Sequence, residues 1–157
     1  MTLKSFQVTI LSGLALALSA HFSSAATLQL MLSGEVLPGV VYIAVYDGSA
    51  EKGWRSEPVH QIKLDFKNSE FVAPEEIELD EGMYAIRAYI DTNNNHQLDV
   101  NGVGYPREPV SHSKGKNRTK VSRKFKNAVF ALSQGVSSMT LDFIQPKSRK
   151  SENQKGR

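Results

Sequence analysis

The sequence predicts an all-β fold, a Greek-key β-sandwich of about seven strands. Short apolar runs alternate with polar residues at a period of two, and turn residues separate these runs at close intervals. Beyond residue 26, no segment shows a helical period of useful length. The chain contains no Cys, so disulfides and thiolate chemistry are excluded and the fold must depend on its apolar core.

The seven predicted strands differ in how they alternate. In one of them Ile62, Leu64 and Phe66 point inward, as expected for a strand with one solvated face. Another contains Pro74, which predicts an edge strand or a bend, because proline cannot donate to a sheet ladder. The predicted strands cover residues 28–32, 40–47, 60–66, 71–79, 83–90, 126–132 and 137–144.

A tyrosine corner is predicted in the segment LDEGMY, with Gly82 and Tyr84 at its key positions. In such a corner the tyrosine hydroxyl bonds back to the preceding backbone and fixes a Greek-key crossover. The alternative is an ordinary turn before a strand that carries a tyrosine. The neighbouring acidic run from Glu75 to Glu81 is interpreted as solvated surface, with its apolar residues facing inward.

The first 26 residues resemble a secretory signal. Lys4 is followed by an apolar run, and Ser24 and Ala26 are small residues suited to cleavage after Ala26. The alternative is a membrane anchor, but the run is shorter than the ~20 residues of a transmembrane helix. We therefore expect a periplasmic or secreted protein with no transmembrane span after cleavage, consisting of a β-sandwich domain at 27–145.

Charge is distributed unevenly along the chain. Residues 27–106 carry 5 Lys+Arg against 13 Asp+Glu, whereas residues 107–157 carry 13 Lys+Arg against 3 Asp+Glu. This split indicates either internal pairing or an anionic partner in the cell envelope or outside the cell. Residues 146–157 have a composition typical of a disordered basic tail.

The Asp- and Asn-rich segment that follows the strand at 83–90 is the main candidate site. Its oxygen-bearing residues have the alternating spacing of the first ligands of a calcium loop. The candidate ligands of a Ca²⁺ ion are Asp91, Asn93, Asn95, Gln97 and Asp99. Against this, His96 stands where the turn normally needs Gly, and Gly102 stands where a bidentate Glu is expected. The alternative is a series of hydrogen-bonded Asx turns.

A basic segment provides a second candidate site, for binding anions. Its cations recur at a period of two, which would place them on one face of an extended chain. They are Lys114, Lys116, Arg118 and Lys120. Only Phe125 is aromatic there, so we expect no specific nucleic-acid binding. The alternative is a solvated loop that pairs with the acidic part of the chain.

Catalysis finds little support in the sequence. His60, His96 and His112 are scattered and belong to no metal or nucleophile motif, so we predict that the protein is not an enzyme. A hydrolase with paired carboxylates stays an unfavoured alternative. Trp54 lies in a predicted loop, where an aromatic residue either anchors a ligand or covers one end of the core.

Three stretches follow one another along the chain, GMYAIRAYIDTNNNHQLD, GYPREP and FKNAVF. In the order and spacing of these motifs the chain resembles a bacterial family of exported proteins known as domain-of-unknown-function family 2141. The matching residues are Gly82, Tyr84, Ala85, Asp91, Asn93, Asn95, Leu98, Asp99, Gly104, Pro106, Glu108, Pro109, Phe125, Ala128 and Phe130. The family usually has Gly in place of His96 and a different sequence in place of VSHSK.

This resemblance implies an exported sandwich of immunoglobulin-like or transthyretin-like type, and it makes the Asp/Asn segment a recurring element. It implies no substrate, cofactor or catalytic residue. We expect an exported binding or interaction module of unknown ligand, in which the Asp/Asn-rich loop lies beside the basic loop. The alternatives are a weakly calcium-stabilised structural domain of the cell envelope and a hydrolase of envelope material.

Overall fold

The computed structural model of the protein describes residues 25–34, 37–66, 74–115 and 124–145. This part of the chain is built from strands and two 3₁₀ turns, Gly53–Arg55 and Phe125–Asn127. The strands are β1 (Ala25–Gly34), β2 (Gly39–Asp47), β3 (His60–Phe66), β4 (Glu75–Asp80), β5 (Gly82–Asp91), β6 (Val110–His112), β7 (Phe130–Leu132) and β8 (Gly135–Phe143). The predicted all-β class is confirmed.

Two sheets make up the sandwich. The smaller has the order β4-β1-β8, and the larger has the order β3-β2-β5-β6, with β7 also paired to β5. All pairings are antiparallel except that of β1 with β8. The sequence predicted about seven strands where eight are described, and the additional strand is β6. Three residues are too few to show a period of two, so the sequence alone does not distinguish β6 from a loop.

Alternating side chains of the two sheets form the core. On β5, Ile86, Ala88 and Ile90 are almost completely buried, as the period of two predicted. Members of the larger sheet face those of the smaller one across the sandwich. The buried cluster consists of Ala26, Leu28, Leu30, Val41, Ile43, Val45, Phe66, Ile77, Ile86, Ala88, Ile90, Phe130, Leu132, Leu141 and Phe143. Burial of this apolar surface is the main stabilising term of the fold.

The hydrogen bond expected of a tyrosine corner is present at the crossover from β4 to β5. The Tyr84 hydroxyl donates a hydrogen bond of 2.9 Å to the carbonyl oxygen of Asp80, four residues earlier. Burial, and secondarily the negative charges of Asp80 and Asp47, raise the pKa of Tyr84, so the hydroxyl keeps the proton that it donates. The corner therefore fixes the angle at which the chain passes between the two sheets.

The opposite end of the sandwich, called here the Asp91 end, is closed by a second link between the sheets. Ile144, just after β8, exchanges two backbone hydrogen bonds of 3.1 Å with Val110 of β6. Gly39 also lies there, and a Cβ on it would come within 2.3 Å of the Asp91 carbonyl oxygen. Only glycine at this position therefore allows the first residue of β2 to lie against the last residue of β5.

The first residues of β4 and β1 can be compared with the positions predicted from the sequence. β4 is an edge strand, as Pro74 predicted, and it begins directly after that residue. β1 begins at Ala25, two residues before the predicted mature N-terminus at Thr27. The rest of the predicted signal and the predicted tail at 146–157 lie outside the described residues. Within the described residues, no helix has the length and apolar character needed to cross a bilayer.

Candidate functional site

The Asp/Asn-rich loop, residues 92–99, begins where β5 ends. Asp91, the last residue of β5, has a fully buried side chain with 0% exposure. Its two carboxylate oxygens accept hydrogen bonds from the backbone N–H groups of Asn95 (3.2 Å) and His96 (2.7 Å). A buried carboxylate needs such donors, and here the donors come from the loop that it orders.

Two asparagines continue this pattern inside the loop. The Asn93 side-chain oxygen accepts from the Asn95 N–H at 3.1 Å, and the Asn95 oxygen accepts from the Gln97 N–H at 2.9 Å. Their amide nitrogens donate to the two carboxylate oxygens of Asp99, at 2.8 and 3.1 Å. The oxygens thus form Asx turns, and the nitrogens converge on one carboxylate.

A second buried carboxylate, Glu108, fastens the loop from the other side. It is 3% exposed and accepts from the N–H of Thr92 (2.8 Å) with one oxygen and from the N–H of Asp99 (3.1 Å) with the other. Sequence reasoning did not assign Glu108 to the site, because it lies nine residues beyond Asp99. The one available signal was its place in the segment GYPREP.

Four of the five predicted calcium ligands take part in one hydrogen-bond network through their side chains. Asp91, Asn93, Asn95 and Asp99 are joined by hydrogen bonds, whereas Gln97 takes part through its backbone N–H. Among the residues that the structure describes, no group of three or more His, Cys, Asp or Glu side chains is placed to hold a metal ion. Calcium binding stays a prediction, while the hydrogen bonds account for the order of the loop.

His96 connects the loop to the outer face of the larger sheet. Its backbone is left-handed, with a φ of 63°, and its ring Nδ1 lies 2.8 Å from the hydroxyl of Tyr42. The same nitrogen is 4.0 Å from a carboxylate oxygen of Asp91. The histidine thus takes the place of the expected glycine and uses its side chain to extend the loop over β2.

The outer face of the larger sheet carries a strip of aromatic and cationic side chains. Tyr42 and Tyr89 are directly paired across β2 and β5, with their rings stacked 5.0 Å apart at 12°. The ammonium of Lys63, from β3, lies 5.7 Å from the centre of the Tyr42 ring. Burial, followed by the proximity of Tyr42 and of two carboxylates, raises the pKa of Tyr89 to about 12.

The strip continues towards the other end of the sheet. The Arg87 guanidinium lies 5.4 Å from the centre of the Trp54 ring and 5.7 Å from that of Tyr46, and it donates to the Tyr46 hydroxyl at 3.1 Å. The Trp54 ring also packs edge-on against Phe125, at 4.9 Å. Trp54 therefore lies on the outer sheet face, where its ring packs against the buried ring of Tyr46. The strip consists of Tyr42, Tyr46, Trp54, Lys63, Arg87, Tyr89 and Phe125.

The predicted anion-binding segment is described only at its margins. Lys114 is exposed and has a left-handed backbone with a φ of 59°, whereas Lys116, Arg118 and Lys120 lie outside the described residues. On one side of the gap, the Gly115 N–H bonds to the carbonyl of His112, which is paired with the strip residue Arg87. On the other side, the strip residue Phe125 follows directly after Lys124.

The two candidate loops leave the larger sheet at different levels. Asp91 ends β5, while the Ser113 N–H bonds to the carbonyl of Ile86, five residues earlier on the same strand. At about 3.4 Å per residue the two levels are roughly 17 Å apart. The described margin of the basic segment therefore lies near the Arg87 part of the strip, whereas the Asp/Asn-rich loop begins at its Tyr89 part.

A shallow groove of about 580 Å³ lies beside the tyrosine corner, at the end far from Asp91. The exposed β4 residue Glu78 lines it, together with Asp80 and Asp47, as the interpretation of the acidic run as solvated surface implies. Hydrogen bonds from the Ser49 hydroxyl and N–H lower the pKa of Asp47. These carboxylates are solvated strand and turn residues.

The architecture defines the class of the protein, a two-sheet β-sandwich with an ordered Asp/Asn loop at one end. The chain belongs to the bacterial family described as "Uncharacterized protein conserved in bacteria (DUF2141)", whose sequence profile matches residues 35–140. The family resemblance stated from the sequence motifs is thereby confirmed. No curated protein and no solved structure was found to match the chain.

Proposed function

We propose that this protein is an exported binding module that holds an anionic polymer across the aromatic–cationic strip. The observation that carries the proposal is the composition of the outer sheet face. It carries two groups of contacting aromatic and cationic side chains: Tyr42, Lys63 and Tyr89 form one, and Trp54, Arg87 and Phe125, packed around the buried Tyr46, form the other. Aromatic rings supply broad apolar contact, and ammonium and guanidinium groups supply charge-assisted hydrogen bonds to anions.

The sheet gives this surface a rigid support. Tyr42 and Tyr46 belong to β2, and Arg87 and Tyr89 belong to β5, which are the two inner strands of the larger sheet. Their inward neighbours are buried in the core, so the outward side chains are held in fixed register. A preorganised surface loses less conformational entropy on binding than a flexible one.

The charges favour an anionic ligand. Lys63 and Arg87 are exposed on the strip, and the basic segment that begins at Lys114 is attached to the strip at both of its described margins. The carboxylate of Asp91, at the Tyr89 end of the strip, is buried and is occupied by backbone N–H groups, whereas the exposed Asp65 follows Lys63 on the outward face of β3. An acidic polysaccharide has suitable charge and rings for such a surface.

Retention on an immobilised acidic polysaccharide, polygalacturonate, tests this proposal. In the double variant Lys63→Gln/Arg87→Gln, we expect the affinity to fall by about tenfold for each lost cation, because hydrogen bonds to charged groups contribute ~1.5–3 kcal/mol. Retention of the unchanged protein should also weaken as salt is added, since binding releases counterions.

The matched control keeps both charges in the double variant Lys63→Arg/Arg87→Lys, which should retain most of the affinity. A further variant, Lys114→Ser with Lys116, Arg118 and Lys120 also changed to Ser, tests the basic segment separately. If both charge-removing variants are retained as well as the unchanged protein, the strip is an ordinary solvated sheet face and the proposal is wrong.

A further inference from the structure

A short hairpin at the Asp91 end exposes apolar side chains. It is called the tip hairpin here and spans residues 99–107. Val100, Val103 and Tyr105 are 52%, 73% and 55% exposed, which places three of the large exposed apolar residues within six positions. Single exposed apolar residues are ordinary on protein surfaces, but a cluster of them marks an interaction site.

The hairpin is rigid, so the exposure of these residues is built into the fold. Val100 pairs with Pro106 in an antiparallel bridge, and the Asn101 N–H donates to the Tyr105 carbonyl at 2.8 Å. The Asn101 side-chain oxygen accepts from the N–H groups of Val103 (3.1 Å) and Tyr105 (2.9 Å). Hydrogen bonds made by the backbone and by Asn101 thus hold the apolar side chains outward.

Positive charge accompanies the apolar surface at this end. Arg107 is exposed at the base of the hairpin, and its carbonyl accepts a hydrogen bond of 3.1 Å from the side chain of Gln145. Gln145 is the residue from which the chain continues into residues 146–157, whose sequence contains five Lys or Arg and one Glu. The chain therefore enters its most basic terminal segment from the base of the tip hairpin.

The acidic residues of the Asp/Asn-rich loop and the tip hairpin are held by hydrogen bonds within the protein, whereas Asp65, in the same row of the sheet as Asp91, is exposed. Asp91 and Glu108 are buried, with 0% and 3% exposure, and both accept hydrogen bonds from backbone N–H groups. Asp99 is partly buried and accepts from two asparagine amides. The exposed charge of the hairpin itself is that of Arg107.

We propose that the tip hairpin inserts its apolar side chains into an anionic lipid surface, while the Lys and Arg residues of 146–157 bind the lipid head groups. Stable attachment to a membrane surface generally takes two such signals, an apolar insertion and a cluster of cations. Tyr105 suits the interface, because its ring is apolar and its hydroxyl is polar. This surface is separate from the aromatic–cationic strip and does not depend on the function proposed for the strip.

Co-flotation with lipid vesicles tests the inference. The protein should bind vesicles of equal parts phosphatidylcholine and phosphatidylglycerol, bind vesicles of phosphatidylcholine alone much more weakly, and dissociate as salt screens the charges. The variant Val100→Ser/Val103→Ser should lower the partition coefficient on the anionic vesicles by about tenfold or more, because it removes four methyl groups from the inserted surface.

The matched control is Met83→Ser/Val136→Ser, which removes exposed apolar side chains (49% and 67%) from the far end of the sandwich and should leave flotation unchanged. Thermal unfolding checks that both variants are folded. Equal flotation of the two variants would show that the hairpin does not insert, and the inference would be overturned.

Two further outcomes would also overturn it. Loss of flotation in Lys63→Gln/Arg87→Gln, with normal flotation of the hairpin variant, would mean that the strip binds the vesicles. Absence of vesicle binding, with a concentration-dependent dimer that the hairpin variant abolishes, would make the tip hairpin a contact between protein copies. Because polygalacturonate retention should be unaffected by Val100→Ser/Val103→Ser, failure of this inference is distinguishable from failure of the proposed function.

Discussion

Replacing Glu108 by Ala should destabilise the protein by about 3 kcal/mol. The buried carboxylate accepts from the N–H groups of Thr92 and Asp99, at 2.8 and 3.1 Å. Each hydrogen bond to a charged group contributes ~1.5–3 kcal/mol, and removal of the acceptor leaves two backbone donors unpaired. The Thr92 and Asp99 side chains are at least partly exposed, so water can reach the loop and the expected loss is at the lower end of the summed range.

Urea unfolding of Glu108→Ala, Glu108→Gln and the unchanged protein measures this loss. Glutamine keeps one oxygen as an acceptor and presents an amide nitrogen to the other donor, so we expect it to lose about half as much, roughly 1.5 kcal/mol. The control is Glu78→Ala, which removes an exposed carboxylate from β4 and should change the free energy of unfolding by less than ~0.5 kcal/mol.

The same measurement is made in EDTA and in millimolar calcium. Because protein donors occupy the loop oxygens, we expect the unchanged protein to be equally stable in both solutions. A loss below ~1 kcal/mol for Glu108→Ala would refute the reasoning from buried donors. A calcium-dependent gain that is absent from Asp91→Asn/Asp99→Asn would instead establish the ion site that the spacing of the loop predicted.

Two further predictions concern tyrosine hydroxyls. Tyr84→Phe keeps the packed ring but removes the 2.9 Å bond to the Asp80 carbonyl, so the free energy of unfolding should fall by about 1 kcal/mol in urea titrations, and an unchanged value would contradict the corner. Spectrophotometric titration should detect Tyr89 ionising with a pKa of about 12, above its ordinary value of 10.0. Because the folded state holds the Tyr89 proton more tightly, the contribution of Tyr89 to the free energy of unfolding is complete below about pH 10 and is lost as the pH rises towards 12. In Tyr89→Phe we expect the free energy of unfolding to fall less over this pH range. An identical fall would show that Tyr89 is not the tyrosine with the raised pKa.

Local patterns predicted most of the fold. A period of two identified β3 and β5, and Pro74 indicated an edge strand or a bend at β4, because alternation and the missing proline N–H act within a single strand. The tyrosine corner was predicted for the same reason, since Tyr84 bonds only four residues back. β6 was missed because its three residues are identified by their pairing with β5 and not by their own sequence.

The candidate site was predicted less completely. The spacing of Asp91 and the asparagines indicated an ordered loop, because Asx turns are local. Glu108 was not found as the second buried carboxylate, since only the folded chain brings it back to Thr92. The aromatic–cationic strip was also not found, because its residues come from three strands and two 3₁₀ turns. Cross-strand neighbours such as Tyr42 and Tyr89 depend on the register of pairing, which residue spacing does not encode.

The position of Glu108 links the two surfaces for which binding is proposed. One of its oxygens fixes Thr92, at the start of the Asp/Asn loop that reaches the strip through His96 and Tyr42. The other fixes Asp99, whose carbonyl accepts the Arg107 N–H at the base of the tip hairpin. Loss of this carboxylate should therefore loosen the hairpin and one end of the strip together. In contrast, Val100→Ser acts on the hairpin surface alone and Lys63→Gln on the strip alone. If Glu108→Ala weakened binding at neither surface despite the expected loss of stability, the carboxylate would stabilise the fold without organising either surface.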